Sequence, residues 1–118
     1  MAHIIIVDDE EELLGLFKLW IERLAPSSTV STVNDGQKAL QVYEDAGADL
    51  IIANYLMPLM PGSDLVRTLR ARGVTIPIVM TSGYPGAQEK SYDAGATLFV
   101  PTTHVVKELP GILSRFLP

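Results

Sequence analysis

Two kinds of segment alternate along the whole chain. Five short runs of branched and apolar residues predict buried strands, and they alternate with segments in which apolar residues recur at helical spacing. The predicted strands are residues 3–7, 29–33, 49–53, 76–80 and 96–100. The predicted helices are residues 11–24, 37–45, a segment that begins at 62 or 63, and residues 87–93 and 107–116.

The sequence also predicts which face of the first helix is buried and where the last helix begins. Helical spacing predicts one apolar stripe facing the core in the first helix, formed by Leu13, Leu14, Phe17, Trp20, Ile21 and Leu24. Leu19 lies far from this stripe, and together with Leu16 it predicts a small patch for partner contact. Pro110 has no N–H and is expected only in a first helical turn, so the last helix is predicted to begin near Lys107.

This alternation of strands and helices predicts a single domain over residues 1–118 of the α/β class. Strands separated by helices must pair in parallel, with helices on both faces of one five-stranded sheet. The serines and threonines of residues 29–33 favour the edge of that sheet. Ligands of such sheets bind beyond the carboxyl ends of the strands, so the residues that follow each strand are the candidates for chemistry.

Composition narrows the classes of function. Nine Lys and Arg against fourteen Asp and Glu give a net charge of −5, which argues against a nucleic-acid-binding surface. The absence of cysteine excludes disulfides and thiolate chemistry. No apolar run approaches the length of a membrane span, and the first residues lack the pattern of a signal peptide. A cytoplasmic protein is therefore expected.

Acidic residues directly follow the first predicted strand. Adjacent carboxylates at Asp8 and Asp9 repel each other, and burial would raise their pKa values unless a cation compensates. A hard divalent ion such as Mg²⁺ suits oxygen ligands of this kind. Glu10, Glu11 and Glu12 are interpreted only as an acidic first turn that the helix dipole favours.

At this point the sequence resembles a known family, the receiver domains of two-component response regulators, over essentially its whole length. That resemblance implies a flavodoxin-like fold with strand order 2-1-3-4-5 and a signalling role as a non-enzyme. Five motifs support it in this order and spacing: Val7-Asp8-Asp9-Glu10, Asn34-Asp35-Gly36-Gln37-Lys38-Ala39-Leu40, Asp49-Leu50-Ile51-Ile52, Met57-Pro58-Leu59-Met60-Pro61-Gly62 and Ala94-Gly95-Ala96.

The resemblance also implies roles for single residues. Asp8 and Asp9 would hold Mg²⁺, Thr81 would contact the phosphoryl group, and Phe99 would be the switch aromatic of the fifth strand. Two positions depart from the family pattern. Asn54 stands where the phospho-accepting aspartate is expected, and Thr102 stands where the lysine is expected, followed by Thr103 in place of proline.

These departures predict an atypical receiver, or pseudo-receiver. The neutral amide oxygen of Asn54 is a far weaker nucleophile than a carboxylate, and Thr102 has no charge with which to stabilise transferred oxygens. Mg²⁺ binding at Asp8 and Asp9 is then expected to be weak. The expected function is protein–protein interaction with a signalling protein: a histidine kinase, a phosphotransfer protein or an output protein. Membrane and nucleic acid are not expected partners.

Two alternatives stay open. In the first alternative, the chain is a receiver that can be phosphorylated. Either Asp8 or Asp9 is then the acceptor, or Asn54 is an engineered replacement of the acceptor aspartate. A haloacid-dehalogenase-like phosphohydrolase also places aspartates after its first strand. It needs the spacing Asp-x-Asp followed by Thr or Val, which the acidic run after residue 7 does not supply.

Overall fold

The computed structural model describes residues 1–118, in five strands, five α-helices and one 3₁₀ turn. No helix combines the length and the apolar character needed to cross a bilayer. The strands are β1 (His3–Val7), β2 (Thr29–Val33), β3 (Leu50–Asn54), β4 (Ile78–Ser82) and β5 (Leu98–Pro101). The helices are α1 (Glu11–Leu24), α2 (Gly36–Ala46), α3 (Gly62–Ala71), α4 (Ala87–Ala94) and α5 (Val105–Phe116), with the 3₁₀ turn at Thr102–His104.

The strands form one parallel sheet in the order β2-β1-β3-β4-β5. This order confirms the flavodoxin-like fold, and β2 lies at an edge as its polar residues predicted. From β1 the chain passes to one neighbour, β2, and later returns to the other, β3. The crevice beyond the carboxyl ends of β1 and β3 is therefore the switch point, where sheets of this kind bind ligands.

Each face of the sheet has its own apolar core because successive side chains of a strand point to opposite faces. Ile4 and Ile6 of β1 pack with α1 and α5, whereas Ile5 and Val7 pack on the side of α2, α3 and α4. All four side chains are at most 1% exposed. The near-continuous apolar composition of β1, β3 and β4 follows from burial on both faces.

Two strands begin later than their apolar composition predicted. β4 begins at Ile78 rather than residue 76, because Pro77 has no N–H to give to the ladder and only its carbonyl accepts a bond, from Ile51 N at 3.1 Å. β5 begins at Leu98, since Ala96 N donates to the Ser91 carbonyl (3.0 Å) and so belongs to the end of α4. Both strands therefore also end later than predicted, at Ser82 and Pro101, so more of each strand lies near the carboxyl edge of the sheet.

Two expectations for the helices were wrong. α5 begins at Val105, so Pro110 lies well inside the helix rather than in its first turn. Burial of Leu109 and its apolar neighbours against the sheet outweighs the one hydrogen bond that the proline cannot make. In α1, the core face is narrower than predicted, and Trp20 and Leu24 are 37% and 40% exposed.

The Ser91 hydroxyl yields the first testable prediction, because it is fully buried in α4 and has no hydrogen-bond partner. Ser91→Ala removes a desolvated polar group, and we expect it to raise the free energy of unfolding by about 1 kcal/mol. The matched control is Ser31→Ala, because Ser31 Oγ lies 2.7 Å from His3 Nε2 and the substitution leaves that ring nitrogen without its partner. Urea denaturation of both variants measures the effect, and equal losses of stability would contradict the prediction.

Candidate functional site

The carboxyl ends of β1 and β3 bring three of the predicted site residues together. Asn54, the last residue of β3, donates from Nδ2 to Asp9 Oδ1 at 3.3 Å and to Asp8 Oδ1 at 3.5 Å. A third hydrogen bond of 2.8 Å runs from Nδ2 to the carbonyl of Leu56. The amide group therefore bridges two carboxylates and at the same time holds the start of the loop that follows β3.

An open cavity of about 470 Å³ lies over these residues. It contains three acidic side chains and no basic one. Thr102, at the predicted lysine position, also lines the cavity, so the structure gathers Asp8, Asp9, Asn54 and Thr102 around one space. The full set of lining residues is Asp8, Asp9, Glu10, Leu13, Asn54, Leu56, Ser82, Gly83, Tyr84, Pro85 and Thr102.

The other two predicted site residues lie elsewhere. Thr81 is 2% exposed and sits within β4, paired with Asn54 in register, but it does not line the cavity. Ser82, the next residue, does line it, because neighbouring side chains of a strand point to opposite faces. Phe99 is half-buried against the core on the α4 side, and its N–H donates to the Tyr92 hydroxyl at 3.0 Å.

Ser82 is thus a residue that the sequence reading missed. Its Oγ accepts a hydrogen bond of 2.9 Å from Tyr84 N, which holds the start of the loop between β4 and α4. The sequence offers two adjacent hydroxyls, Thr81 and Ser82, and only the position of β4 decides which one faces the cavity. The register of β4 with β3, in which Thr81 lies beside Asn54, sets the direction of each of these side chains, and it is not visible in the sequence.

Burial governs the electrostatics of Asp8. Asp8 is 2% exposed, and its pKa is raised from 3.8 to about 6, with desolvation as the largest cause. A hydrogen bond of 3.0 Å from Glu10 N to Asp8 Oδ1 opposes this rise, whereas the negative charges of Asp9 and Glu10 contribute to it. Near neutral pH, the site therefore holds a carboxylate whose charge is only partly compensated.

The loop after β3 is closed by backbone hydrogen bonds. Tyr55 N donates to the Thr81 carbonyl and Gly62 N to the Tyr55 carbonyl, both at 2.8 Å. A side chain at Gly62 would collide with the Asn54 carbonyl oxygen, so the loop can pack this closely on β3 only with glycine there. The Tyr55 ring also stacks on Tyr84, with centroids 6.3 Å apart, which links the loops after β3 and β4 beside the cavity.

This donor set fits a divalent ion poorly. The chain has no group of three His, Cys, Asp or Glu side chains placed to hold a metal. Asp8 and Asp9 supply carboxylate oxygens, but Asn54 turns N–H donors toward both of them, in the position where a cation would have to compensate their charge. The hydrogen bonds from the Asn54 amide partly offset the repulsion between the two carboxylates, although the amide itself has no positive charge.

Comparison with known proteins places the chain in a family. The family model of the response regulator receiver domain matches residues 4–110. The chain therefore belongs to the response regulator receiver domains, which are generally non-enzymatic signalling domains that interact with histidine kinases and other signalling proteins. Receiver domains typically bind Mg²⁺ at the phosphorylation site.

Curated relatives support the same family. The chain is 31% identical over 111 residues to the sensory transduction protein RegX3 of Mycolicibacterium smegmatis, covering 92% of this chain and 47% of that protein. It is 31% identical to the two-component response regulator ORR41 of Oryza sativa, covering 98% of this chain and 94% of that protein. The chain thus spans about half the length of the mycobacterial RegX3 proteins that it matches.

Solved structures agree on the fold. The chemotaxis response regulator CheY4 of Vibrio cholerae is 26% identical with a TM-score of 0.87, and the match covers 99% of both chains. A LuxR-family DNA-binding response regulator from Staphylococcus aureus has a TM-score of 0.89 at 18% identity, with 98% of each chain covered, and shows the fold alone.

The raised pKa of Asp8 yields the second testable prediction. The folded-state pKa of about 6 lies above the ordinary 3.8, so the folded protein binds this proton more tightly than the unfolded chain does. This contribution to stability is complete at low pH and is lost as the pH rises from about 4 through about 6. We expect a loss of about 1–2 kcal/mol, less than the full shift implies because water at the open mouth screens the charge.

Urea denaturation between about pH 4 and pH 7, in the presence of a chelator, measures this loss. The difference between the curves of the wild type and Asp8→Asn reports Asp8 together with its interactions with the neighbouring carboxylates. Parallel curves would show that the carboxyl of Asp8 has an ordinary pKa.

Proposed function

We propose that this chain is a pseudo-receiver, which is not phosphorylated at the usual position and acts through protein–protein interaction in a cytoplasmic two-component or phosphorelay pathway. The observation that supports this most directly is the Asn54 side chain. It stands at the acceptor position, and its amide nitrogen is hydrogen-bonded to Asp8, Asp9 and the Leu56 carbonyl.

The missing nucleophile is the first physical reason. An acyl phosphate forms when an anionic carboxylate oxygen attacks phosphorus and the donor's leaving group departs. The Asn54 amide oxygen is neutral, so it has little capacity for that attack. The side chain is also held by three hydrogen bonds, so it is already engaged with its neighbours.

The missing positive charge is the second reason. Stabilisation of the transferred oxygens by cations is the largest contribution to phosphoryl transfer. Thr102 offers one neutral hydroxyl in that part of the cavity. Lys90 lies in α4 and Lys107 in α5, and neither lines the cavity, so no lysine of this chain takes the missing role. Ser82, which does line the cavity, is our candidate for the hydroxyl position in place of Thr81.

Magnesium binding at Asp8 and Asp9 is proposed to be weak at most. A bound ion would supply positive charge at the mouth of the sheet, and these two carboxylates are the residues that would hold it. It would also have to displace the hydrogen bonds from Asn54, which already partly satisfy both acids.

Surface chemistry supports an interaction role. Leu56, Leu59 and Tyr84 are 50%, 94% and 50% exposed, and they project from the loops after β3 and β4 that border the acidic cavity. Leu59 also has a φ of 69°, which is unfavourable for a branched apolar residue. Exposed apolar side chains around a polar centre are typical of a protein contact. The partner class is a histidine kinase, a phosphotransfer protein or an output protein.

Phosphorylation is the third testable prediction. Incubation of the wild type with acetyl phosphate and Mg²⁺ should add no phosphoryl mass, because Asn54 lacks a carboxylate and Thr102 lacks a charge. Asn54→Asp restores the nucleophile, and we expect a labelled fraction that increases at least about threefold when Thr102→Lys is added.

Intact-mass measurement followed by site mapping checks this outcome. A stable phosphoryl group on Asp8 or Asp9 of the wild type would overturn the pseudo-receiver reading and would favour a receiver with an alternative acceptor. The same change at an exposed position outside the cavity, Asn34→Asp, is the control for non-specific labelling.

Magnesium dependence is the fourth testable prediction. At about 10 mM Mg²⁺ we expect the Tm of the wild type to rise by less than about 1 °C. Asn54→Asp adds a third carboxylate, so we expect it to lower the Tm in the absence of Mg²⁺. With the ion, the Tm of this variant should rise by about 6 °C, which corresponds to a dissociation constant near 1 mM. Differential scanning calorimetry with and without Mg²⁺ compares the two proteins. An identical response would show that position 54 does not share an ion with Asp8 and Asp9.

A further inference from the structure

The outward face of α1 exposes an unusual amount of apolar surface. Leu16, Leu19, Trp20 and Leu24 are 41%, 48%, 37% and 40% exposed, which makes four of the nine large apolar side chains that the chain exposes. The buried side chains of α1 are Leu14, Phe17 and Ile21, so Leu16 and Leu19 do not anchor the helix to the sheet. Apolar exposure concentrated on one helix, rather than scattered, indicates a contact surface.

The spacing on this face is that of a coiled-coil seam. Glu12, Leu16, Leu19 and Arg23 follow one another at intervals of four, three and four residues. This alternation keeps the side chains in line along a helix and is the pattern by which one helix packs along another. The stripe has two leucines at its centre, an acid at one end and a base at the other.

The charges of the stripe have no partners within the chain. The only salt bridge in the structure joins Asp64 and Arg67 of α3, so Glu12 and Arg23 are both free. In an antiparallel pair of α1 helices centred between Phe17 and Lys18, Glu12 lies opposite Arg23 of the second copy. The same arrangement places Leu16 opposite Leu19 of the second copy. The stripe is therefore complementary to itself in charge and in apolar character.

Gly15 is a third feature that the monomer does not explain. It lies in the middle of α1, where glycine weakens a helix relative to alanine, and it is exposed. A Cβ built at this position meets no atom within 4 Å, so neither packing nor backbone conformation requires glycine. A second helix that packs closely beside Leu16 and Leu19 would explain the glycine, because the absence of a side chain at position 15 leaves room for that helix.

We propose that the α1 stripe of Glu12, Leu16, Leu19 and Arg23 binds a second copy of this chain, and that two copies form a symmetric dimer through antiparallel α1 helices. Because the contact is isologous, each dimer contains the pair between Glu12 and Arg23 twice. The proposal does not depend on phosphorylation, since no residue of the cavity takes part. Two short helices bury less than a standard interface, so we expect a reversible dimer with a dissociation constant on the order of 100 μM.

The decisive experiment uses two charge reversals, separately and mixed. Glu12→Arg leaves two arginines in the stripe and Arg23→Glu leaves two glutamates, so each variant repels its own copy. We expect each alone to dimerise at least about tenfold more weakly than the wild type. Mixed together, they restore both opposite-charge contacts, and a heterodimer within about threefold of the wild-type affinity is expected. Sedimentation equilibrium from about 10 μM to about 1 mM measures all four samples.

Matched controls separate this contact from general charge effects. Glu44→Arg in α2 and Lys90→Glu in α4 make the same changes of charge on exposed positions outside the stripe. Both should dimerise like the wild type, and their mixture should gain nothing. Gly15→Gln is a further probe, because it should raise the Tm of the dilute monomer through helix propensity while weakening the dimer.

Three outcomes would overturn the proposal. The first is a wild type that stays monomeric throughout this range, and the second is a dimer that the single reversals do not weaken. The third is a failure of the mixed variants to associate, which would exclude the antiparallel register. A monomer whose α1 variants lose binding to a separate helical signalling protein would assign the stripe to that partner instead. None of these results bears on whether Asn54 is phosphorylated, so the two proposals fail separately.

Discussion

The hydrogen bonds from Asn54 to the two aspartates are the interaction on which the rest of the site depends. Asp8 and Asp9 are adjacent in sequence and close to the ends of two parallel strands, so their charges repel whenever both are ionised. The Asn54 amide lies between them at 3.3 and 3.5 Å and donates to both. A third bond to the Leu56 carbonyl joins the same amide to the loop that borders the cavity.

This arrangement changes what the cavity can do. A site that normally combines a nucleophile, a cation and a hydroxyl here has a neutral amide, two carboxylates and the hydroxyls of Ser82 and Thr102. Its net charge is negative and no basic group lines it, so an incoming phosphoryl group meets repulsion rather than stabilisation. The scaffold that presents the site remains intact, because the strands and the glycine at position 62 still hold the loop against β3.

The proposed pseudo-receiver would act through the surfaces that the domain exposes. The apolar side chains around the cavity and those on the outward face of α1 lie on different parts of the molecule, and neither group is needed for the two cores. Under the two proposals, the chain would bind one protein through the loops at the carboxyl edge of the sheet while pairing through α1. Both contacts use side chains that are exposed without any conformational change.

The sequence by itself determined the alternation of strands and helices, the parallel sheet with β2 at its edge, and the position of Asp8 and Asp9 at the end of a strand. These features are local, because the apolar period of each segment and the residues that interrupt it are visible within a few positions. The resemblance to the family predicted the strand order, which the sheet confirms, and it predicted position 54 as the acceptor position, which stays a prediction. All of this required only the order of residues along the chain.

Tertiary structure decided which side chains face which space. Ser82 rather than Thr81 lines the cavity because adjacent side chains of a strand point to opposite faces, and only the place of β4 in the sheet decides which of these faces borders the cavity. Trp20 and Leu24 were wrongly assigned to the core because the width of the buried stripe on α1 depends on how the helix sits on the sheet. Pro110 is accommodated inside α5 because burial of the surrounding apolar residues outweighs a lost hydrogen bond, and that burial exists only in the folded molecule.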